Sequence, residues 1–108
     1  VRILLDACVP RKLRYELTIH SAWTARERGW NRLPDGPLLD VIAGEIDVLV
    51  TVDRSLRFQQ RLTVRPFAVI VLRAKSNELG ALRPLVPALL QALADVKPGE
   101  VREITESD

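Results

Sequence analysis

Three short apolar runs punctuate the chain: Ile3–Leu5, Val48–Val52 and Phe67–Leu72. None alternates with polar residues, which predicts strands buried on both faces. Between them the period lengthens. Pro10 opens a segment with Leu13 and Leu17 on one face and Arg11, Lys12, Arg14 and Glu16 elsewhere, the pattern of a helix with proline in its first turn. Ser21–Thr24 reads as a short extra strand, Arg26–Arg28 as one helical turn stopped by Gly29, and Asn31–Pro37, with Pro34, Gly36 and Pro37, as a loop. Leu38–Ile46 returns to helical spacing through Leu39, Ile42, Ala43 and Ile46. Arg54–Leu62 reads as a short helix with Leu56 and Phe58 among its apolar contacts and Arg54, Arg57 and Arg61 along one side. Leu79–Val96 is the longest helical stretch, and Pro84 and Pro87 predict a turn and a fresh start inside it. After Gly99, Val101–Thr105 predicts an edge strand, and Glu106–Asp108 should fray.

Strands alternating with helices predict an α/β domain with a mostly parallel sheet covered on both faces, and ligands of such sheets bind at the carboxyl ends of the strands. With 108 residues, 47% of them apolar, the chain suits one domain over residues 1–108. Its longest apolar runs fall far short of the roughly 20 residues of a membrane-spanning helix, so no membrane association and a cytoplasmic location are expected. The single Cys8 has no internal disulfide partner, and with the lone His20 it makes zinc an unsuitable ligand for this chain.

Charge adds a second layer. Residues 95–108 carry five acids and two bases, whereas residues 1–94 carry nine acids against fourteen bases. The stretch between Asp53 and Glu78 holds Arg54, Arg57, Arg61, Arg65, Arg73 and Lys75 and no acid, which suits either a nucleic-acid backbone or a solvated basic face. Asp6 and Asp53 each follow a predicted buried strand. A carboxylate there needs water, hydrogen bonds or a cation, so the pair points to a hard metal ion such as Mg²⁺ or Mn²⁺. Taken singly, each aspartate reads as a helix cap sooner than as a ligand, and it is the pair that argues for the metal. Trp23 and Trp30 suit nucleobase stacking or packing, and Ser76 and Asn77 suit polar contacts at the same edge or a cap.

The segments Ile3-Leu4-Leu5-Asp6, Val9-Pro10-Arg11, Asp47-Val48-Leu49-Val50-Thr51-Val52-Asp53-Arg54 and Val71-Leu72-Arg73-Ala74 together resemble the short bacterial PIN-like proteins, a family related to VapC-type toxins. The resemblance runs over nearly the whole chain. It implies a Rossmann-like three-layer sandwich, acidic residues that bind Mg²⁺ or Mn²⁺, and endoribonuclease activity in toxin–antitoxin pairs, with an antitoxin protein as partner. Asp6 matches the first-strand metal ligand and Asp53 the aspartate of the Thr-x-Asp motif, with Thr51 as its companion. Ala7 stands where relatives commonly have glutamate, and Asp35-Gly36-Pro37 stands where they carry Asn-Gly-Glu. Asp35 or Asp40 is then the candidate for a further acid, and Arg11, Lys12, Arg54, Arg57 and Arg61 are the candidates to hold RNA phosphates. Relatives often dimerise, and Leu85, Leu89, Ala92 and Val96 form a stripe that suits either a homodimer or the core. Two other functions fit the residues: a PIN-like module that binds RNA or a partner without cutting, and a receiver-like phosphoacceptor domain with Asp53 as acceptor and Lys75 after a later strand.

Overall fold

The computed structural model of the chain describes residues 1–17 and 20–106, the Arg57 side chain excepted. Five strands, β1 (Arg2–Leu5), β2 (Ser21–Thr24), β3 (Val48–Thr51), β4 (Ala68–Arg73) and β5 (Val101–Thr105), form one sheet in the order β2-β1-β3-β4-β5. All four neighbouring pairs are parallel. The apolar runs fill the three central strands because those positions are covered on both sides: Ile3, Leu5, Val48, Val50, Ile70 and Leu72 face one cluster, and Leu4, Leu49, Val69 and Val71 face the other. The architecture is therefore α/β and three-layered, with the polar-flanked strands β2 and β5 at the edges.

On the first face lie the 3₁₀ segment Arg11–Glu16 and the helices α3 (Leu79–Leu82) and α4 (Val86–Asp95); on the second lie α1 (Asp35–Ile42) and α2 (Leu56–Gln59). Several boundaries differ from those the sequence predicts. The segment after Pro10 winds as a six-residue 3₁₀ helix. Residues 35–37 are not loop but the first turn of α1, where Pro37 needs no backbone donor because first-turn N–H groups have no intrahelical acceptor. That helix stops at Ile42, short of Ile46, ahead of Gly44 at φ +84. The Arg54–Leu62 helix shrinks to α2 and a separate 3₁₀ turn at Leu62–Val64, with Gln60 extended between them. Arg54 and Arg61 thus share no continuous helical face, and Phe58 is 77% exposed instead of joining the core.

Between α3 and α4 the chain tightens into a 3₁₀ turn over Arg83–Leu85, where Pro84 lacks the N–H an α-helix would use. Leu85, Leu89 and Ala92 are buried and Val96 packs on the same cluster, so this stripe is core and offers no surface for a homodimer. Residues 107–108 of the expected fraying end lie outside the described residues. No helix among the described residues is long and apolar enough to cross a membrane.

Candidate functional site

The sheet order reverses direction between β1 and β3: the chain moves from β1 outward to β2, then crosses back to β3. Such a switch point leaves a crevice at the carboxyl ends of the two strands, because the connections leave them toward opposite sides. Asp6 is the first residue after β1 and Asp53 the second after β3, so both aspartates stand at that crevice.

Local hydrogen bonds hold them there. Asp6 donates its N–H to the Val50 carbonyl at 2.9 Å, extending the β1–β3 ladder by one step. Its Oδ1 accepts the Ala7 N–H at 2.8 Å and its Oδ2 accepts the Thr51 hydroxyl at 2.8 Å. Thr51 Oγ1 in turn accepts the Asp53 N–H at 3.1 Å. Thr51 is 0% exposed and is the one buried polar residue among those described. A buried hydroxyl requires partners, and this one uses them to tie the two aspartate-bearing strand ends together. Asp53 Oδ1 accepts both the N–H and the hydroxyl of Ser55, at 2.9 and 2.7 Å, whereas no described residue donates to its Oδ2.

Replacing Thr51 by valine keeps the shape and removes the oxygen. Asp6 Oδ2 then loses a donor and the Asp53 N–H an acceptor, so a loss of about 1–3 kcal/mol is expected in urea unfolding. Thr51→Ser should recover most of it. Wild-type stability in Thr51→Val would show that the hydroxyl contributes nothing, and a loss in Thr51→Ser as large as that in Thr51→Val would give the methyl group an equal share.

Asp35, brought into the first turn of α1, is the third acid of this edge. Its carboxyl is pushed up from its ordinary pKa, first by desolvation and then by the negative fields of Asp53 and Asp6. Asp40 is elsewhere: it is 69% exposed at its side chain and pairs with Arg65 at 2.6 Å. Cys8 packs beside the pair, with Sγ 3.7 Å from Asp6 Oδ2 and 3.6 Å from Thr51 Oγ1. Burial, with the charge of Asp6 adding to it, pushes its thiol up. A raised thiol pKa is the opposite of what a nucleophilic cysteine needs.

No protein-family model, curated protein or solved structure matches this chain.

The basic candidates separate by position. Arg11 lines a hollow of about 500 Å³ together with Asp6, and Arg54 lines two smaller hollows beyond β3. Lys12 is exposed on the 3₁₀ segment. Arg61 lies at the other end of the sheet, in a groove with Val101 at the start of β5. The side chain of Arg57 lies outside the described structure. Trp23 and Trp30 have Arg28 over their rings, at 5.2 and 4.6 Å from the ring centres, and both pack on the core. Asn77 donates to the Cys8 carbonyl at 3.2 Å and thereby anchors the loop after β4 to the loop after β1. Arg26 and Asn31, which line the hollow beside Asp6, carry no pattern that singles them out along the chain.

The donor set suits a hard cation. Asp53 Oδ2 has no donor among the described residues, and Asp6 Oδ1 retains a lone pair beyond the one it uses, whereas Asp6 Oδ2 accepts from both the Thr51 hydroxyl and the Cys8 thiol. Among the described residues no group of three or more His, Cys, Asp or Glu side chains stands at metal-ligating spacing. Mg²⁺ commonly keeps several waters and takes only one or two protein carboxylates.

Proposed function

We propose that this chain is a PIN-like, metal-dependent endoribonuclease, acting as the toxin of a toxin–antitoxin pair. One observation carries the reading: Asp6 and Asp53 end neighbouring strands at the switch point of a parallel sheet and are tied through the buried Thr51 hydroxyl, with Asp35 near enough to feel their charge. No described cation forms an ion pair with any of the three. Like charges gathered without a counter-ion destabilise a fold, and they are retained where a cation or a reaction uses them. Asp6 and Asp53 would hold Mg²⁺ or Mn²⁺, with Asp35 nearby. When bound, such an ion neutralises the charge that develops on the phosphoryl oxygens. Thr51 fixes the direction of the Asp6 carboxylate, and Arg11 and Arg54 bind phosphates on either side of it. Asp35 is the acid near Asp6 and Asp53 placed to accept the proton released from the attacking water.

A second reading, a PIN-like module that binds RNA or an antitoxin without turnover, draws on the lack of a three-acid cage among the described residues and on Ala7 in the place of a glutamate. The receiver-like reading shares the sheet order and the acid after β3. Calorimetric titration of the wild-type chain with Mn²⁺ and Mg²⁺, run beside cleavage of a labelled RNA with and without EDTA, separates all three. Saturable metal binding with EDTA-sensitive cleavage is the expected result. RNA binding with no cleavage at any metal concentration selects the binding module. A phosphoryl mass gained from a small phosphodonor selects the receiver.

A further inference from the structure

Most arginines of this chain are neutralised by its own acids. Arg2 pairs with Asp47, Arg14 with Glu27, Arg28 with Glu45, Arg65 with Asp40, Arg73 with Glu103, Arg83 with Glu16, and Arg102 with Asp95 and Glu100. Arg11, Arg26, Arg54 and Lys75 make no such pair with any described residue, and all four line hollows at the carboxyl edge of the sheet.

Their arrangement along that edge is ordered. Arg26 follows β2, Asp6 ends β1, Asp53 ends β3, and Lys75 follows β4. The hollow of about 500 Å³ on the β2 side is walled by Arg11 and Arg26 as well as by Asp6 and Asn31. On the other side, hollows of about 310 and 270 Å³ share Arg54 and Lys75. Arg73 borders the first of these with its guanidinium held by Glu103 at 3.1 Å, and Glu106 is the one acid in that lining. Among the described residues, two cations without an ion pair against one acid leave a positive surplus there. The acids thus sit between two cationic groups.

We propose that these groups are two anion subsites that hold phosphates of a single phosphodiester chain on either side of the acid centre: Arg11 with Arg26 on the β2 side, Arg54 with Lys75 on the β4 side. The proposal rests on the phosphodiesterase reading for what happens at the centre, but the subsites bind whether or not the centre cuts. From β2 to β4 the edge spans three inter-strand steps, roughly 14 Å. A stacked strand rises about 3.4 Å per nucleotide, so roughly four steps cover that distance. Asn31, whose amide has no partner among the described residues, faces the same hollow as Arg26 and is the group there able to hydrogen-bond a base.

The test is the salt dependence of binding, read by fluorescence anisotropy with a labelled pentauridylate in EDTA, where cleavage is off. Four phosphate contacts predict a slope of log affinity against log salt near −2.8, at about 0.7 per contact on a single strand. Arg26→Ala and Lys75→Ala should each flatten the slope by about 0.7, and the double variant by about twice that. A diuridylate, too short to reach both groups, should lose no more than one such step in the double variant. Lys97→Ala, which removes an exposed cation ahead of β5 at the opposite edge, should leave the slope unchanged. Slopes in the Arg26 and Lys75 variants equal to that of the wild type would overturn the subsites, even if metal-dependent cleavage persisted. Flattened slopes with no cleavage in Mn²⁺ would uphold them and reject the nuclease instead.

Discussion

Asparagine at Asp6 or at Asp53 is expected to abolish Mn²⁺ binding in calorimetry and to lower RNA cleavage by about 10²–10³-fold, the scale at which preorganised electrostatic groups act. Asparagine keeps the shape of the side chain. In Asp53→Asn the Ser55 donors retain an acceptor, and in Asp6→Asn the new amide can donate to Thr51 Oγ1 where the carboxylate accepted from it. The fold should therefore survive, and stability should move in the direction opposite to activity. Asp35 has a raised folded pKa, so in the metal-free wild type its ionisation works against folding. That penalty is absent below its unfolded pKa, grows as pH rises toward the folded one, and is complete above it. Removing a neighbouring negative charge relieves part of it. Metal-free Asp53→Asn and Asp6→Asn should melt above the wild type at pH 7, with the larger relief in Asp53→Asn because its field on Asp35 is the stronger. Melting below the wild type in both variants would mean that the carboxylates serve the fold, and cleavage loss would then say nothing about ligands.

The two aspartates were legible in the sequence because a continuous apolar run marks a buried parallel strand, and the residue just past its end must lie at the sheet edge. The sheet order was not legible. Nothing in Ser21–Thr24 or Val101–Thr105 says which central strand each one joins. Asp35 looked like a loop residue because Pro34, Gly36 and Pro37 surround it, yet proline in a first helical turn sacrifices no hydrogen bond, and the helix takes it in. The basic residues were hardest to rank. Arg65 and Arg54 are alike along the chain, but Arg65 is neutralised by Asp40, 25 positions away, and Arg2 by Asp47, 45 positions away. Which cations remain free for a ligand is a property of tertiary pairing, and no local pattern carries it.

Gly99→Ala should cost more stability than any exposed substitution in the chain, about 2–4 kcal/mol from two sources. The residue sits at φ +85, a region that side chains with a Cβ enter at about 1–2 kcal/mol. A Cβ built there would also lie 2.7 Å from the Thr63 carbonyl oxygen, a backbone atom that cannot swing aside as a side chain would. Gly44 provides the control. Its φ of +84 is nearly the same, and a Cβ at that position meets nothing within 4 Å. Gly44→Ala should therefore show the conformational cost alone, and the difference between the two variants in urea unfolding isolates the steric contact. Equal losses would mean that the Thr63 segment yields at little cost. The contact has reach beyond stability, because the Gly99 N–H donates to the Phe67 carbonyl at 3.0 Å and starts the pairing of β5 with β4. Glu103 on β5 is the acid that holds Arg73 at the far end of that pairing. Weakening the start of β5 should therefore loosen the β4 end of the cationic edge, so Gly99→Ala should weaken pentauridylate binding while Gly44→Ala leaves it unchanged.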